Sequence, residues 1–356
     1  MRRPTIADIA RRAGVTKAAV SFALNNQPGV SQSTRERILE IAREIGWQPN
    51  SAARALSDGR AGAVGLVIDR PAGFLGAEPF FMQLIAGIQG ELAAEHTSLL
   101  FTVAQDLSAQ VELYRAWWAQ RRVDGVFLVD LRVDDPRIPV LKELALPTVV
   151  VGTPLGAGGL SAVWTDDAAG ARAVVRHLVR LGHRHIAHVT GMADLWHTRV
   201  RTEAVRDEAA DAGVEVYSVP ADYTEEGGAQ ATSQLLAQSR PPTAILYDND
   251  LMAVSGLGAA QRLGVPVPEK LSIVAWDDTA LCRLVHPALT ALTHDVAAYG
   301  SHAARRLLDV VAGSAAGDLA ESPLTLTIRA STAAPAAEPA VKPAKAPTQK
   351  AARQAG

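Results

Sequence analysis

The chain has 356 residues, 48% of them hydrophobic, so it is too long for one small domain and can bury a sizeable core. Its formal net charge is only −2 at pH 7, and its single cysteine, Cys282, excludes an internal disulfide and a cysteine-rich metal site. No hydrophobic run approaches a membrane span and the first residues, MRRPTIAD, carry no signal peptide, so we expect the protein to stay in the cytoplasm.

The first predicted element is a helix-turn-helix over residues 5–25, TIADIARRAGVTKAAVSFALN. Thr5 can cap a first helix whose apolar residues recur at helical spacing. Gly14 supplies the positive-φ turn between the helices, and Thr16 can cap a second helix over residues 17–24. On its own, this pattern also fits an ordinary amphipathic hairpin of helices. The exposed side of the second helix, which would meet base edges in the major groove, carries Lys17, Ala18, Ser21 and Phe22, with Asn25 at its end.

A third helix and a short fourth segment favour the DNA-binding interpretation. The third helix is predicted to follow a cap at Ser33 or Thr34 and to end at Gly46. Pro49 then forces an extended break. Residues 50–56, NSAARAL, form only one or two helical turns, too few to be stable alone in water, so we expect this segment to need a partner.

Charge is distributed unevenly along the chain. Residues 1–60 carry 10 Lys and Arg against 5 Asp and Glu, whereas residues 61–332 carry 21 against 31. A basic arm suits tracking of phosphates, and an acidic body stays off the duplex.

From Gly62 onwards, short β-branched runs alternate with helical segments, which is typical of a doubly wound α/β fold with parallel strands. We expect the first half to form one lobe and a second set of elements to form another, with a cleft between them. The predicted strands cover residues 63–68, 99–103, 125–129 and 148–151, then 186–189, 214–219, 244–247 and 271–275. The predicted helices cover residues 81–95, 109–120, 168–181, 200–212, 227–238 and 251–263.

Polar residues follow several of these strands. Open α/β lobes bind small molecules at the carboxyl ends of their strands, so these residues indicate a ligand site in the cleft. Carboxylates, amides and guanidinium groups beside aromatic rings suit the hydroxyls and C–H faces of a sugar. The strand-end segments are Asp69-Arg70, Asp166-Asp167, Asp248-Asn249-Asp250 and Trp276-Asp277-Asp278.

Three histidines, His183, His185 and His188, raise the possibility of a metal site. They span a turn and the following strand, so their side chains are not expected to converge, and no acidic partner sits at ligand spacing. We therefore assign them structural or surface roles and expect neither a metal nor a cofactor.

The segments TIADIARRAGV, AVSFALN and WQPNSAARAL, together with AGARAVVRHLVRLGHRHIAHVTG, resemble the LacI/GalR family of bacterial transcription regulators, the lactose-repressor type. The resemblance runs from about Thr5 to Thr332. It implies an all-α helix-turn-helix DNA-binding domain with a hinge helix at residues 4–58. An α/β two-lobed, periplasmic-binding-protein-like domain for effector binding and dimerisation would follow at residues 62–332. Residues 333–356, rich in Ala, Pro and Lys, are expected to form a disordered tail.

The resemblance also implies roles for residues on DNA. The hinge helix of the family folds when two copies pair on the operator, and its leucine, here Leu56, wedges into the minor groove. A homodimer on a palindromic operator follows from that pairing. The implied DNA-binding residues are Thr5, Thr16, Lys17, Ala18, Ser21, Phe22, Asn25, Asn50, Ala53 and Leu56.

For the cleft, the resemblance and the strand-end pattern together predict an effector site. Each residue also has a purely structural interpretation: Asp277 could cap a helix, Trp276 could belong to the core, and Arg201 could pair with a glutamate on its own helix. The predicted effector-binding residues are Asp69, Phe80, Asp166, Arg201, Tyr223, Asn249, Trp276 and Asp277.

The function implied is sequence-specific repression of carbohydrate uptake or catabolism genes, relieved by a small sugar. Three alternatives stay open: a nucleoside or phosphorylated effector, an effector that acts as corepressor, and a cytoplasmic sugar-binding protein without a regulatory role. No nucleophile motif of the form G-x-S-x-G and no phosphate-binding glycine loop is present, so we expect no enzymatic activity.

The chain departs from the family pattern at two places. Ala19 stands where threonine is usual and Phe22 where a polar or arginine residue often reads a base, so the operator sequence cannot be carried over. Residues 73–81, GFLGAEPFF, replace a shorter loop that ends in Asn-Pro-Phe-Phe. The identity of the sugar is therefore not implied by the resemblance.

Overall fold

Three helices begin the chain: α1 (Ile6–Ala13), α2 (Lys17–Leu24) and α3 (Gln32–Glu44). The computed structural model describes residues 4–47, 60–70, 76, 78–314 and 317–336. The prediction of a cap at Ser33 or Thr34 was wrong, because Ser31 has the extended backbone of a cap and its hydroxyl accepts a bond from the Thr34 amide at 3.3 Å. The predicted bounds of the second helix are confirmed.

The first α/β lobe begins with five strands and three helices. Its strands β3 and β4 are buried along their whole length, which explains their uninterrupted apolar sequences. The elements are β1 (Ala63–Ile68), α4 (Pro79–Ala94), β2 (Ser98–Val103), α5 (Leu107–Ala119), β3 (Gly125–Leu128), α6 (Arg137–Glu143), β4 (Thr148–Val151) and β5 (Ser161–Trp164).

The second lobe repeats this alternation. Its central strands β8 and β9 are likewise fully buried. The elements are α7 (Asp167–Leu181), β6 (His185–Thr190), α8 (Trp196–Asp211), β7 (Glu215–Pro220), α9 (Glu225–Leu236), β8 (Ala244–Tyr247), α10 (Asp250–Arg262), β9 (Ser272–Ala275), α11 (Ala280–Leu284) and β10 (Thr290–Thr293).

The chain then returns to the first lobe and crosses once more. Helix α12 (Val296–Val311) packs on α4, strand β11 (Leu319–Ala320) joins the first sheet, and strand β12 (Thr325–Thr327) joins the second. The strand orders are β11-β5-β4-β3-β1-β2, all parallel, and β12-β10-β9-β8-β6-β7, with β12 antiparallel. The two-lobed α/β fold class is confirmed, but the expectation of two consecutive lobes was wrong.

Glycines allow α12 to lie close against α4. A Cβ at Gly300 would stand 2.2 Å from the Leu84 carbonyl oxygen, and one at Gly87 would stand 1.9 Å from the Ala297 carbonyl oxygen. Larger side chains at these positions would push the helices apart. The returning segment is therefore an integral layer of the first lobe.

A short antiparallel contact joins the lobes. The Val133 amide donates to the Asp194 carbonyl oxygen at 2.8 Å, and the Trp196 amide donates to the Leu131 carbonyl oxygen at 2.9 Å. Arg132 pairs with Asp69 of the first lobe at 2.8 Å and with Asp194 of the second lobe. In the described ranges, no helix combines the length and the apolar character needed to cross a membrane.

Candidate functional site

The helix-turn-helix is held by a small core of its own. Ile9, Val20 and Ile38 are fully buried, one from each helix, and Val15 packs against them from the turn. Gly14 has φ +62°, the left-handed conformation that the sequence predicted for the turn. The two threonines act at helix ends, since the Thr16 hydroxyl accepts from the Ala19 amide at 3.1 Å and the Thr5 amide donates to Asp8 at 3.0 Å.

The outer face of α2 is open to solvent. Lys17, Ala18, Phe22 and Asn25 are exposed and Ser21 is half-buried, with Phe22 at 40% exposure. An exposed phenylalanine on this face offers an apolar contact of the kind that a thymine methyl group accepts. The predicted residues Asn50, Ala53 and Leu56 lie outside the described residues.

Arginines of α3 brace the loop that follows α2. Arg35 donates to the Asn26 side chain at 2.7 Å and to the Gln27 carbonyl at 2.8 Å, and Arg37 donates to the Ala13 carbonyl at 2.8 Å. These bonds fix the end of α2 relative to α3. The exposed face of α2 is therefore presented by a rigid support.

A cavity of about 90 Å³ lies between the lobes. It is smaller than the roughly 150 Å³ engineered cavity that accepts benzene, so a sugar ring would require the lobes to separate. Its wall combines carboxyl and guanidinium groups with aromatic rings. The lining residues include Arg70, Glu78, Phe80, Phe81, Asp130, Thr153, Thr165, Asp167, His197, Arg201, Tyr223, Asp248, Asn249, Asp277, His294 and Tyr299.

Residues just beyond the strand ends supply much of the polar wall. Asp130 follows β3, Asp248 follows β8 and Asp277 follows β9. Asp130 and Asp277 have φ of +49° and +65°, as does Tyr223 at +70°. Left-handed backbone costs a non-glycine residue about 1–3 kcal/mol and clusters at functional sites. This strained backbone aims the side chains into the cavity.

Arg201 is fixed by three partners. Its Nε donates to Asp167 at 3.1 Å, its Nη1 donates to the Asp248 carbonyl at 3.0 Å, and its guanidinium carbon lies 3.8 Å from the ring centroid of Trp276. Burial alone would lower the pKa of Arg201, but Asp167 and Asp248 outweigh it and raise the pKa. The guanidinium group stays charged and oriented towards the cavity.

Arg70 forms the second cationic point of the wall. It pairs with Asp130 at 2.8 Å, and its guanidinium carbon lies 5.4 Å from the Tyr223 ring centroid. Burial favours the neutral form of Asp130, yet Arg70 outweighs it and lowers the pKa of this carboxyl. Both lining guanidinium groups are therefore matched with carboxylates.

Tyr223 is held from several sides. Its hydroxyl lies 2.7 Å from His197 Nε2 and 2.8 Å from the Thr198 hydroxyl, and Asn249 Nδ2 donates to its carbonyl at 2.9 Å. Burial lowers the pKa of His197, and nearby Arg201 lowers it further, so the imidazole is neutral at pH 7. Tyr223 is thus a fixed part of the wall.

One corner of the cavity is acidic and weakly bonded. Glu78 is 7% exposed and its Oε2 has no hydrogen-bond partner among the described residues. His294 Nε2 lies 3.3 Å from Asp277 Oδ1, and its ring stacks on Phe80 with centroids 6.2 Å apart. Burial, Asp277 and Asp130 raise the pKa of Glu78 to about 8.

Five of the eight predicted effector residues line the cavity: Phe80, Arg201, Tyr223, Asn249 and Asp277. Asn249 also caps α10, because its Oδ1 accepts from the Met252 amide at 2.9 Å. The null alternative of a pair between Arg201 and a glutamate of its own helix is wrong, since Arg201 pairs with Asp167.

The other three predicted residues do not line the cavity. Asp69 pairs with Arg132, Asp166 caps α7 through the Ala169 amide at 2.8 Å, and Trp276 is 1% exposed behind Arg201. Their immediate neighbours in the chain take their places. Among the lining residues that sequence reasoning missed are Arg70, Glu78, Asp130, Asp167, His197, Asp248 and His294.

The three histidines of the sequence lie apart in function. His183 bonds to Thr243 at 2.8 Å, His185 to the Pro241 carbonyl at 3.0 Å, and His188 to Asp248 at 2.8 Å. Within the part of the chain that the structure describes, no group of three or more metal-binding side chains is placed to hold an ion.

Comparison with protein families gives two matches. Residues 5–50 match the family described as bacterial regulatory proteins, lacI family, and residues 175–332 match the periplasmic binding protein-like domain. Among curated relatives, the HTH-type transcriptional regulator CelR of Thermobifida fusca is 32% identical over 318 residues, or 88% of this chain and 93% of CelR. Catabolite control protein A of Priestia megaterium is 29% identical over 85% of this chain and 91% of its own.

Solved structures agree with these matches. A transcriptional regulator CelR–cellobiose complex has a TM-score of 0.71 at 29% identity and covers 92% of this chain and 100% of its own. A lac repressor dimer bound to operator and the anti-inducer ONPF has a TM-score of 0.82 at 26% identity and covers 94% of this chain and 100% of its own. The relatives named are transcriptional regulators, and none of these names describes an enzyme.

Proposed function

The chain belongs to the LacI family of bacterial regulatory proteins, and from this premise we propose that it represses carbohydrate uptake or catabolism genes until a small sugar binds between its lobes. The observation that carries the sugar is the composition of the cavity wall. Carboxyl groups and a fixed guanidinium group stand beside the rings of Phe80 and Tyr223, a combination that suits both the hydroxyls and the C–H faces of a sugar.

The DNA-binding part of the proposal rests on α2. Its exposed side chains Lys17, Ala18, Phe22 and Asn25 would meet base edges, with Ser21 at the margin. We assign DNA binding and the hinge to residues 4–58, effector binding and dimerisation to residues 62–332, and a tail to residues 333–356. A homodimer would then present two copies of α2 to a palindromic operator, in the cytoplasm where the chromosome lies.

The proposed switch is a change in the arrangement of the lobes. A ligand that binds one arrangement more tightly shifts the population towards it, and the paired hinge segments then favour or disfavour DNA. The small cavity supports this, since a sugar ring needs more space than about 90 Å³. The contacts from Arg132 to Asp69 and Asp194 would have to rearrange in an opening motion.

The wall favours a sugar over a phosphorylated effector. Arg70 is paired with Asp130 and Arg201 with Asp167, so a phosphate would have to compete with both carboxylates. We propose a binding role without turnover: the tightly held cavity side chains orient a ligand, and the relatives that cover the chain are regulators.

The test is ligand binding by the full chain and two arginine variants, followed by thermal shift with glucose, galactose and cellobiose. Arg201→Ala removes the fixed guanidinium group, whereas Arg199→Ala removes a neighbour on α8 that pairs with Glu203 outside the cavity. We expect at least one sugar to raise the melting temperature of the wild type and of Arg199→Ala but not of Arg201→Ala. Equal shifts in both variants would contradict the proposed site.

A further inference from the structure

Glu78 is a buried carboxyl group that forms part of the cavity wall. It is 7% exposed, and its Oε2 has no hydrogen-bond partner among the residues that the structure describes. It precedes α4 and is its cap residue, but its side chain makes no cap bond. Buried polar atoms are normally bonded, so an unpaired oxygen at a cavity wall indicates a place for a ligand atom.

The groups around Glu78 disfavour its ionised form. Asp277, Asp130 and Asp250 face it from three different strand ends and helix starts, and Arg70 is the facing cation. Arg70 is already paired with Asp130 at 2.8 Å. Burial and the three aspartates raise the pKa of Glu78 to about 8, so the carboxyl group is protonated at neutral pH.

A protonated carboxyl group offers one hydrogen-bond donor and further acceptor capacity, as a hydroxyl group does. Resting on the proposed function of this cavity, we propose that Glu78 determines ligand specificity by donating a hydrogen bond to an oxygen atom of an uncharged polyol. Glu78 stands in the segment that departs from the family pattern, where Glu-Pro-Phe-Phe replaces Asn-Pro-Phe-Phe. The residue is thus a feature of this chain's own cavity.

The same surroundings select against an anionic ligand. A negative group beside Glu78 would approach Asp277 and Asp130, and both lining guanidinium groups are matched with carboxylates. An uncharged sugar avoids this repulsion and can exchange hydroxyl bonds with the wall. The uronic acid of the same sugar should therefore bind more weakly.

The experiment is calorimetric titration of the full chain with glucose, galactose and cellobiose, and with glucuronate and galacturonate as anionic counterparts. Because binding uses the protonated carboxyl group, the dissociation constant for the preferred neutral sugar should rise about tenfold between pH 7 and pH 9. Binding at pH 9 should also take up close to one proton, measured in buffers of different ionisation enthalpy.

Two variants isolate Glu78 from the other titrating groups, including Asp250. Glu78→Gln keeps a donor and an acceptor but cannot ionise, so it should bind the neutral sugar at pH 7 and lose the tenfold pH dependence. Glu95→Gln changes an exposed glutamate just after α4 and should keep the wild-type pH profile. Circular dichroism spectra confirm that each variant is folded.

The outcomes separate this inference from the proposed function. A neutral sugar that binds with the same pH profile in the wild type and in Glu78→Gln would overturn the role of Glu78 and leave the sugar site standing. Binding of none of the three neutral sugars, or preferred binding of a uronate, would overturn both.

Discussion

Replacing Glu78 with glutamine should make the ligand-free protein increasingly more stable than the wild type as the pH rises. The wild-type carboxyl group must stay protonated in the folded chain, whereas in the unfolded chain it ionises in water at its ordinary pKa of 4.5. Glutamine has no such titration. The free energy of unfolding of the wild type should therefore fall with pH where that of the variant does not.

The magnitude follows from the two pKa values. The folded-state pKa of about 8 lies above the unfolded value of 4.5, so the contribution is fully present below pH 4.5 and is lost as the pH rises to about 8. Within that window the loss is about 1.4 kcal/mol for each pH unit. Between pH 5.5 and pH 7.5, the wild type should lose about 2.7 kcal/mol relative to Glu78→Gln.

Urea denaturation at pH 5.5, 6.5 and 7.5 measures this difference, with Glu95→Gln as the control for loss of a glutamate that is exposed. The urea midpoint of Glu78→Gln should move progressively above that of the wild type, while the slope of the transition stays the same. A gap that stays constant over this range would refute the reasoning, since it would mean that Glu78 titrates alike in the folded and unfolded chains.

Three further predictions concern the ligand site and the DNA-binding face. Gly191→Ala places a Cβ 1.8 Å from Tyr223 Cζ, so the ring must shift, and calorimetry should show sugar affinity reduced at least about tenfold; unchanged affinity would exclude Tyr223 as a fixed wall. Phe22→Ala should relax base preference and leave the salt dependence of DNA binding unchanged, as measured by competition at several salt concentrations; a changed slope with intact preference would contradict this. Thr16→Ala removes the bond to the Ala19 amide and should destabilise α2 by about 1 kcal/mol in hydrogen exchange, whereas Thr16→Ser should not.

Local signals made the helix-turn-helix predictable from the sequence. Gly14 and Thr16 fix the turn and the start of α2 through backbone conformation and capping, which depend on adjacent residues. The start of α3 was harder, because Ser31, Ser33 and Thr34 all have capping side chains. Only the extended backbone at Ser31 distinguishes it from the other two.

The cavity residues show what the sequence could not decide. Asp69 and Arg70 are neighbours, as are Trp276 and Asp277, and in each pair the second residue lines the cavity. Successive side chains near a strand end point in different directions, and the turn that follows sets which one faces the cleft. Glu78 was missed for a related reason, because its proximity to Asp277 and Asp130 depends on the packing of both lobes.

The return of the chain to the first lobe was also beyond sequence reasoning. Helix α12 carries an apolar face, but no local signal says which of two similar sheets it covers. The close approach at Gly87 and Gly300 decides the matter in the folded chain, and such long-range packing is not encoded in periodicity.

The central claim is that one chain reads DNA and couples that binding to a sugar. The most direct measurement is selection of DNA fragments from a random pool by the full chain, with and without glucose, galactose or cellobiose, followed by sequencing of the bound fraction. The account predicts enrichment of a short palindrome and a change in its recovery with at least one of these sugars. A bound fraction without any enriched sequence, or an enriched palindrome that no sugar affects, would contradict it.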